Sequence, residues 1–557
     1  MSTQQEASPE SGPQGWGGVR TEVLLVLGVA AFLFLFRLGA FGLVGADEPR
    51  YAQIAREMLA RHDWITPILY GKPWLEKPVG YYWAAIVSFK IFGVNDAAAR
   101  LPSGLFAALM VWCTYGFLKK LKMRVSADAA LMVASSVLII GFSRAASTDM
   151  MLAASFSIAM LAWFGWRMTA ARWWLAVFYG FLGIGMLAKG PVAPFLAILV
   201  IVGYCAVMRD WRSILKTLWV PGIVLFVAIV APWFVMIQMR LPEFFRIFIL
   251  EHNLERFGSN LFRHKEPFWY YVPVLLLATM PWTVIFVAAI VDSVRKWKDR
   301  MAEGAASEGG FLIFLMMWIA LPVVFFSISD SKLPGYILPA IPPCLILAAD
   351  YMHRCAGAGK RLPFWMAGFH AMLLALLAGA IMISPALLLK VPASVASMMM
   401  AGIVGTVVLV GMLLVLFTRG WGLMRFATLV PVIFLVGFVL RSVSPVIDIS
   451  QSARPVARVL QETGISPQMD VATFKGKREL AYGLTFYLDR PVTAYEGLEI
   501  SPNVYTLPAE VPPGEHVAVI RRGSIDELQK LLPGRTLRPL GFFRPQRLDF
   551  YQVSPAN

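Results

Sequence analysis

Runs of apolar residues about as long as a lipid bilayer is thick recur thirteen times in this chain, and that recurrence restricts its fold more than any other feature. They fall at 22–41, 101–118, 127–143, 150–166, 173–188, 191–208, 217–238, 271–291, 311–328, 335–352, 364–386, 396–417 and 423–441. A helix of roughly 20 such residues crosses the hydrocarbon layer. Composition agrees: 58% of the residues are hydrophobic, 15% are charged and the mean hydropathy is +0.65, more apolar than a water-soluble core can absorb. The chain reads as an all-α polytopic membrane protein.

A net charge of +16 suggests nucleic acid only until the positions of the cations are noted. They cluster at Lys119–Arg124, Arg167–Arg172, Arg209–Lys216, Arg295–Arg300, Arg354–Arg361 and Arg419–Arg425. Short loops rich in Lys and Arg stay in the cytoplasm. A fourteenth run, 79–93, is short, interrupted by Lys90, and carries Tyr81, Tyr82 and Trp83. Left out of the count, it puts all six basic clusters on the side of the N-terminus; counted as a span, it throws them all outside. We therefore place 79–93 on the membrane surface. Residues 1–21 become a cytoplasmic tail, 22–441 a transmembrane domain with outer loops 42–100 and 239–270, and 442–557 a domain on the outer side, which in a Gram-negative cell is the periplasm.

After residue 441 the composition turns to that of a soluble protein. ARPVARVLQETG and SIDELQKLLPG have helical patterning, and DVATF, PVTAY and HVAVI read as strands, so a small α/β domain is expected. No glycine loop of Walker or Rossmann type appears, which argues against a nucleotide cofactor. Cys113, Cys205, Cys344 and Cys355 lie in or beside apolar runs without metal-type spacing, which argues against a disulfide framework.

With this topology, ionisable residues from six segments collect at the outer ends of the spans. GADEPRYAQIAREML (45–59) brings Asp47, Glu48 and Arg50, with Asp47 placed to cap a short helix. Exposed charges of this kind are often only solvated, but a carboxylate at the membrane boundary is costly without a partner. KPWLEKPVGYYW (72–83) sets Glu76 and Lys77 between stiffening prolines, followed by Tyr81. SRAASTDMM (143–151) places Asp149 at the interface, either as a helix cap or as a functional acid. LAKGP (187–191) offers Lys189, either snorkelling or holding a phosphate. The loop at 251–273 contributes His252, Arg256, His264 and an aromatic belt, and SISDSKLPGYILPAIPP (327–343) contributes Lys332 and Tyr336. Cations to hold a phosphate leaving group, a carboxylate near a developing positive charge and aromatic surfaces for a sugar are what transfer from a phosphorylated lipid requires.

In that order, these segments resemble the bacterial aminoarabinose transferases that modify lipid A, within the wider protein O-mannosyltransferase-like, GT-C type glycosyltransferases. The likeness runs from the first span to about residue 345; beyond it only the architecture matches. It implies thirteen spans, interfacial helices in the first outer loop and a C-terminal periplasmic domain. It also implies a reaction at the periplasmic side of the inner membrane: 4-amino-4-deoxy-L-arabinose passes from undecaprenyl phosphate to a lipid A phosphate, which protects against polymyxin and other cationic peptides. By resemblance, Asp47 and Asp149 are the key carboxylates. Glu48, Arg50, Lys77, Tyr81, Lys189, Arg256, Lys332 and Tyr336 form the substrate- and phosphate-binding set. Glu76 with His252 or His264 would hold a divalent ion, zinc by preference. The partners implied are the lipid-linked sugar, lipid A and membrane lipids; the sequence leaves the oligomeric state open, with a monomer favoured. A related transferase acting on another sugar or a protein hydroxyl is the nearest rival. A transporter is a more distant one, because transporters gather ionisable residues at the bilayer midplane and not at one surface.

Overall fold

The computed structural model describes residues 18–248, 266–389, 394–463, 466, 468–501 and 505–555. Each of the thirteen apolar runs is built on helix. Eight helices among the described residues are long and apolar enough to cross a membrane alone: α4 (Asp96–Lys120), α7 (Thr148–Thr169), α11 (Val220–Arg240), α15 (Glu308–Ile328), α16 (Ile341–Gly357, entered through the 3-10 turn Pro334–Ala340), α17 (Phe364–Leu389), α18 (Val395–Thr418) and α19 (Trp421–Phe438). Three runs form shorter helices, namely α1 (Val19–Ala30, extended by the π turn Ala31–Leu35), α8 (Trp173–Lys189) and α9 (Val192–Met208).

The other two runs are broken. Helix α5 (Ser126–Ala134) meets α6 (Val137–Ser143) at a bend of 63°, and α12 (Tyr271–Ala278) meets α13 (Thr283–Arg295) at 118°. A break in the hydrocarbon region frees backbone groups that lipid cannot satisfy. Here the two breaks satisfy each other. Val137 N–H donates to the Met280 carbonyl (3.0 Å), Ser136 Oγ to the Ala278 carbonyl (3.0 Å) and Trp282 Nε1 to Ser135 Oγ (2.9 Å).

Helix α3 (Gly80–Phe92) has 13 residues. At 1.5 Å per residue it reaches about 20 Å, short of the roughly 30 Å needed to cross. It packs on α2 (Asp47–Ala60) and α4, burying Tyr81, Tyr82 and Phe89 while leaving Val87, Ile91 and Phe92 exposed. Trp83 Nε1 donates to the Trp64 carbonyl at 2.7 Å.

The six basic clusters lie at one end of the bundle, where they are tied by ion pairs. Asp128 holds Arg425 (3.0 Å) and His353 (2.5 Å), and Asp292 holds Arg354 (2.8 Å), Lys296 (3.0 Å) and Arg300 (3.2 Å). The C-terminal domain sits at the other end. Helix continues from the last span past Val443 through α20 (Ser444–Gln451) and leads into the domain. The domain contains α21 (Arg454–Glu462), α22 (Arg478–Leu488) and α23 (Ile525–Leu531). Its five-stranded sheet runs in the order β4-β3-β7-β9-β8. The three expected strands are β3 (Asp470–Phe474), β4 (Val492–Ala494) and β7 (His516–Arg521), mutually parallel where they pair. Antiparallel β9 (Leu548–Ser554) and β8 (Thr536–Phe543) extend it. The small pairs β1–β2 (Ile68–Leu69, Lys72–Pro73) and β5–β6 (Leu498–Ser501, Tyr505–Leu507) stand apart from it.

Candidate active site

The first outer loop is held by one buried ion pair. Arg100, 0% exposed, uses its whole guanidinium: Nε and Nη2 donate to Glu48 Oε1 (2.9 Å) and Oε2 (2.7 Å), and Nη1 and Nη2 donate to the carbonyls of Leu38, Phe41 and Gly42 at 2.7–2.9 Å. Glu48 also accepts Val44 N–H (2.8 Å) and Ala146 N–H (2.7 Å). Four donors saturate its carboxylate. Glu48 therefore joins the loop to α4 and to the turn before α7, a structural task in place of the substrate contact expected for it. Sequence reading passed over Arg100 entirely, because an arginine in the first turns of a span reads as interfacial.

The C-terminal domain clamps the same loop. Asp96 accepts Arg454 Nη1 (2.8 Å) and the Tyr487 hydroxyl, while Tyr487 Oη accepts Leu43 N–H (2.6 Å). Asp448 Oδ1 accepts Gly42 N–H (2.7 Å), and Arg56 reaches the Phe486 carbonyl (2.6 Å) and Asp489 (2.5 Å). Asp47 opens α2 but does not cap it; Ala46 stands at the cap without a side-chain bond. Instead the Asp47 carboxylate, 58% exposed, takes Arg50 Nη2 at 2.5 Å.

The second acid–base pair joins Asp149, in the first turn of α7, to Lys189, the last residue of α8. Each stands at the helix end whose dipole favours its charge. Backbone geometry brings the surroundings in. Gly190 (φ +88°) ends α8, and a Cβ there would lie 2.7 Å from the Phe248 ring. At Gly335 a Cβ would meet Phe142 at 2.7 Å and Asp149 Oδ1 at 3.4 Å, so the turn at 334–340 closes over Asp149. That turn delivers Tyr336, whose ring lies 4.9 Å from Lys189 Nζ. Lys77 is close enough for its charge to act on Asp149.

Arg50 is 7% exposed and stacks between Tyr51 (5.1 Å) and Trp74 (4.8 Å). Burial works against its charge, but Asp47, Tyr51 and Glu76 outweigh it and hold its pKa above the ordinary value. Two other expected residues are used elsewhere. Tyr81 is fully buried and gives its hydroxyl to the Ala99 carbonyl (2.7 Å), which makes it a packing residue between α3 and α4. Lys332 is 5% exposed and folds back onto the Ser329 carbonyl (2.6 Å), so of the pair Lys332 and Tyr336 only Tyr336 reaches Lys189. Glu76 is 8% exposed, beside Arg50. His252, Arg256 and His264 lie outside the described residues. Among the described residues no group of three or more His, Cys, Asp or Glu gathers to hold a metal ion.

A cavity of about 510 Å³ lies beyond α6 from Asp149, lined by apolar residues such as Val137, Ile140, Leu377 and Val436 and reaching Arg144 and Glu48.

The chain is similar to known proteins in sequence and in fold. A protein-family model described as dolichyl-phosphate-mannose-protein mannosyltransferase matches residues 21–248. The chain is 34% identical over 338 residues to an undecaprenyl phosphate-alpha-4-amino-4-deoxy-L-arabinose arabinosyl transferase of Serratia proteamaculans, a match covering 59% of this chain and 58% of that one. To the protein of the same name in Edwardsiella ictaluri it is 33% identical over 325 residues, 57% of each. The match thus spans less than three fifths of the length of these curated relatives. The crystal structure of ArnT from Cupriavidus metallidurans bound to undecaprenyl phosphate superposes with a TM-score of 0.75 over 96% of this chain and 98% of that one, at 23% identity. Its apo state gives 0.74 over 95% and 97%, at 22% identity. Identity at that level establishes a shared fold. The chain is thus similar over part of its length to named arabinosyl transferases and to the mannosyltransferase family model, and it shares its fold with ArnT.

Proposed function

We propose that this protein is an inverting glycosyltransferase of the bacterial inner membrane, working at the periplasmic side. It moves 4-amino-4-deoxy-L-arabinose from undecaprenyl phosphate to a phosphate of lipid A and thereby lowers the affinity of the cell surface for polymyxin and other cationic peptides. The observation that carries this reading is the Asp149–Lys189 pair, flanked by Lys77 and roofed by Tyr336, in a chain of which less than three fifths aligns, at one third identity, with named arabinosyl transferases.

A lipid A phosphate oxygen attacks the anomeric carbon of the sugar. The bond from that carbon to the polyprenyl phosphate breaks, and its electron pair leaves on the phosphate. Lys189 and Lys77 hold that phosphate as its charge grows, and Asp149 keeps Lys189 in place. The attacking phosphate is already ionised, so no strong general base is needed. Asp47, fixed by Arg50, orients the sugar through its exposed carboxylate oxygen. The apolar cavity beside α6 suits a hydrocarbon chain of a lipid substrate. Glu76 is the described member of the expected metal set, and no step above passes through an ion.

The family match to protein mannosyltransferases favours one alternative, transfer to a protein hydroxyl. That reaction needs a base to take the hydroxyl proton, and Asp47 Oδ1 is already occupied by Arg50 Nη2 at 2.5 Å. The test is lipid A mass spectrometry in cells that supply the donor. A pentosamine-sized addition is expected with the wild type and not with Lys189→Ala. Unchanged lipid A with a well-inserted wild type would overturn the reading.

A further inference from the structure

Most of the C-terminal domain's contacts with the bundle are spent on clamping the first outer loop, but one side chain does something else. Tyr482 lies on α22 with 1% of its surface exposed, and its hydroxyl makes no hydrogen bond within 3.5 Å, with the Arg50 guanidinium at longer hydrogen-bonding range. Its ring packs against Tyr70, centroid to centroid 6.2 Å, and its hydroxyl lies within the electrostatic reach of Arg50 and Glu76. Three more buried polar atoms in the same neighbourhood lack a partner: Arg50 Nε, Trp74 Nε1 and Tyr82 Oη. Arg50 links them, stacked 4.8 Å over Trp74 and next to Tyr51, which in turn lies 6.1 Å from Tyr82.

A buried donor without a partner costs about 1–3 kcal/mol, and native proteins keep few of them. Three around a guanidinium whose own Nε is the fourth call for an occupant rich in acceptor oxygens. The dipeptide Glu76–Lys77 indicates which one. The charge of Lys77 acts on Asp149, beside the cation proposed to hold phosphate, whereas that of Glu76 acts on Arg50, Tyr82 and Tyr482. The two sides of the site are one residue apart along the chain, so a group covalently attached to the phosphate falls among the unpartnered donors.

We propose that Tyr482 is a substrate-contacting residue, supplied by the C-terminal domain, that binds the saccharide of the lipid-linked donor together with Arg50, Trp74 and Tyr82. The inference rests on the functional reading above. Burial pushes the Tyr482 pKa up to about 12, so its hydroxyl stays protonated and donates throughout the physiological range. The domain is then part of the site's wall as well as its brace.

The test uses the full-length protein in lipid nanodiscs, with two ligands: bare undecaprenyl phosphate and the same lipid carrying the aminopentose. Tyr482→Phe keeps the ring against Tyr70 and removes only the hydroxyl. It is expected to raise KM for the sugar-bearing lipid roughly three- to tenfold, the worth of one neutral hydrogen bond, and to leave affinity for the bare lipid unchanged. Tyr487→Phe, which loosens the clamp without touching Arg50, is expected to leave that KM at the wild-type value. A Tyr482→Phe protein that matches wild type with both ligands, or loses affinity for both alike, overturns the assignment. Absence of transfer by the wild type removes the functional reading and this assignment with it, so the two failures are separable.

Discussion

Asp47 and Glu48 are neighbours in the chain, yet they belong to two different regions of the molecule. Glu48 faces the floor beneath the first outer loop, where four donors saturate it and Arg100 has no unused N–H. Asp47 faces the open side, with one hydrogen bond and more than half its side chain in contact with solvent. Asp149–Lys189 resembles the Asp47 pair in being one unsaturated contact between two charges, but it is covered by a turn, and its side chains are only 18% and 15% exposed. Saturation and openness separate the residues that hold the site from those left able to exchange partners with a substrate. Charge type and sequence neighbourhood do not.

The largest effect that would break this comparison is on folding. Arg100→Ala leaves Glu48 buried without its cation and is expected to cost about 3–5 kcal/mol, read as loss of folded protein in thermal unfolding of the detergent-solubilised chain. Asp47→Asn should unfold at the wild-type temperature. If the two behaved alike, floor and open side would not be distinct. Next in size is the chemistry. Lys189→Ala and Asp149→Asn are each expected to lower kcat roughly 10²- to 10³-fold. The double variant should be no worse than either alone, because the pair acts as a unit. Recovery of transfer in the double variant would mean that the single changes acted through an uncompensated charge.

A smaller effect sharpens the boundary between the clamp and the site. Tyr487→Phe removes a hydroxyl shared by Asp96 and Leu43 N–H and is expected to cost about 1–3 kcal/mol. Faster hydrogen exchange at residues 42–44 with kcat preserved would confirm it as a brace. The smallest effect lies within the domain. His516 is fully buried between the Tyr495 hydroxyl (2.6 Å) and the Gly514 carbonyl (2.8 Å), and burial lowers its pKa below 6.5. The unfolded ring takes up its proton first, so the domain loses stability as pH falls below about 6.5 and stays level above it. His516→Gln should flatten that dependence, as followed by proteolysis of the domain.

Much of this architecture was legible in the sequence because lipid imposes a coarse code. The apolar runs are helical, and the six Lys/Arg clusters sort to the end away from the domain. The same periodicity reasoning found β3, β4 and β7, buried strands with continuous apolar patterns. It missed β8 and β9. In β8, Arg538, Pro539 and Gly541 interrupt any strand pattern, and the register shifts between Pro539 and Gly541. At the site, the segments were legible and the individual roles less so. Tyr81 and Tyr82 are adjacent on α3, and only packing decides that the first hydroxyl finds the Ala99 carbonyl while the second finds no partner. Glu48 and Asp47 pose the same problem, because saturation depends on Arg100, about fifty residues away.

The mutual hydrogen bonding of the two broken spans has a consequence for how the chain is made. Ser136 and Ala278 are 142 residues apart, and ribosomes add roughly 5–20 residues per second. For roughly seven to thirty seconds the kink at Ser135–Ser136 is in the membrane before its partner exists. During biogenesis this region therefore depends on water or on the insertion machinery for the hydrogen bonds that the finished fold provides internally.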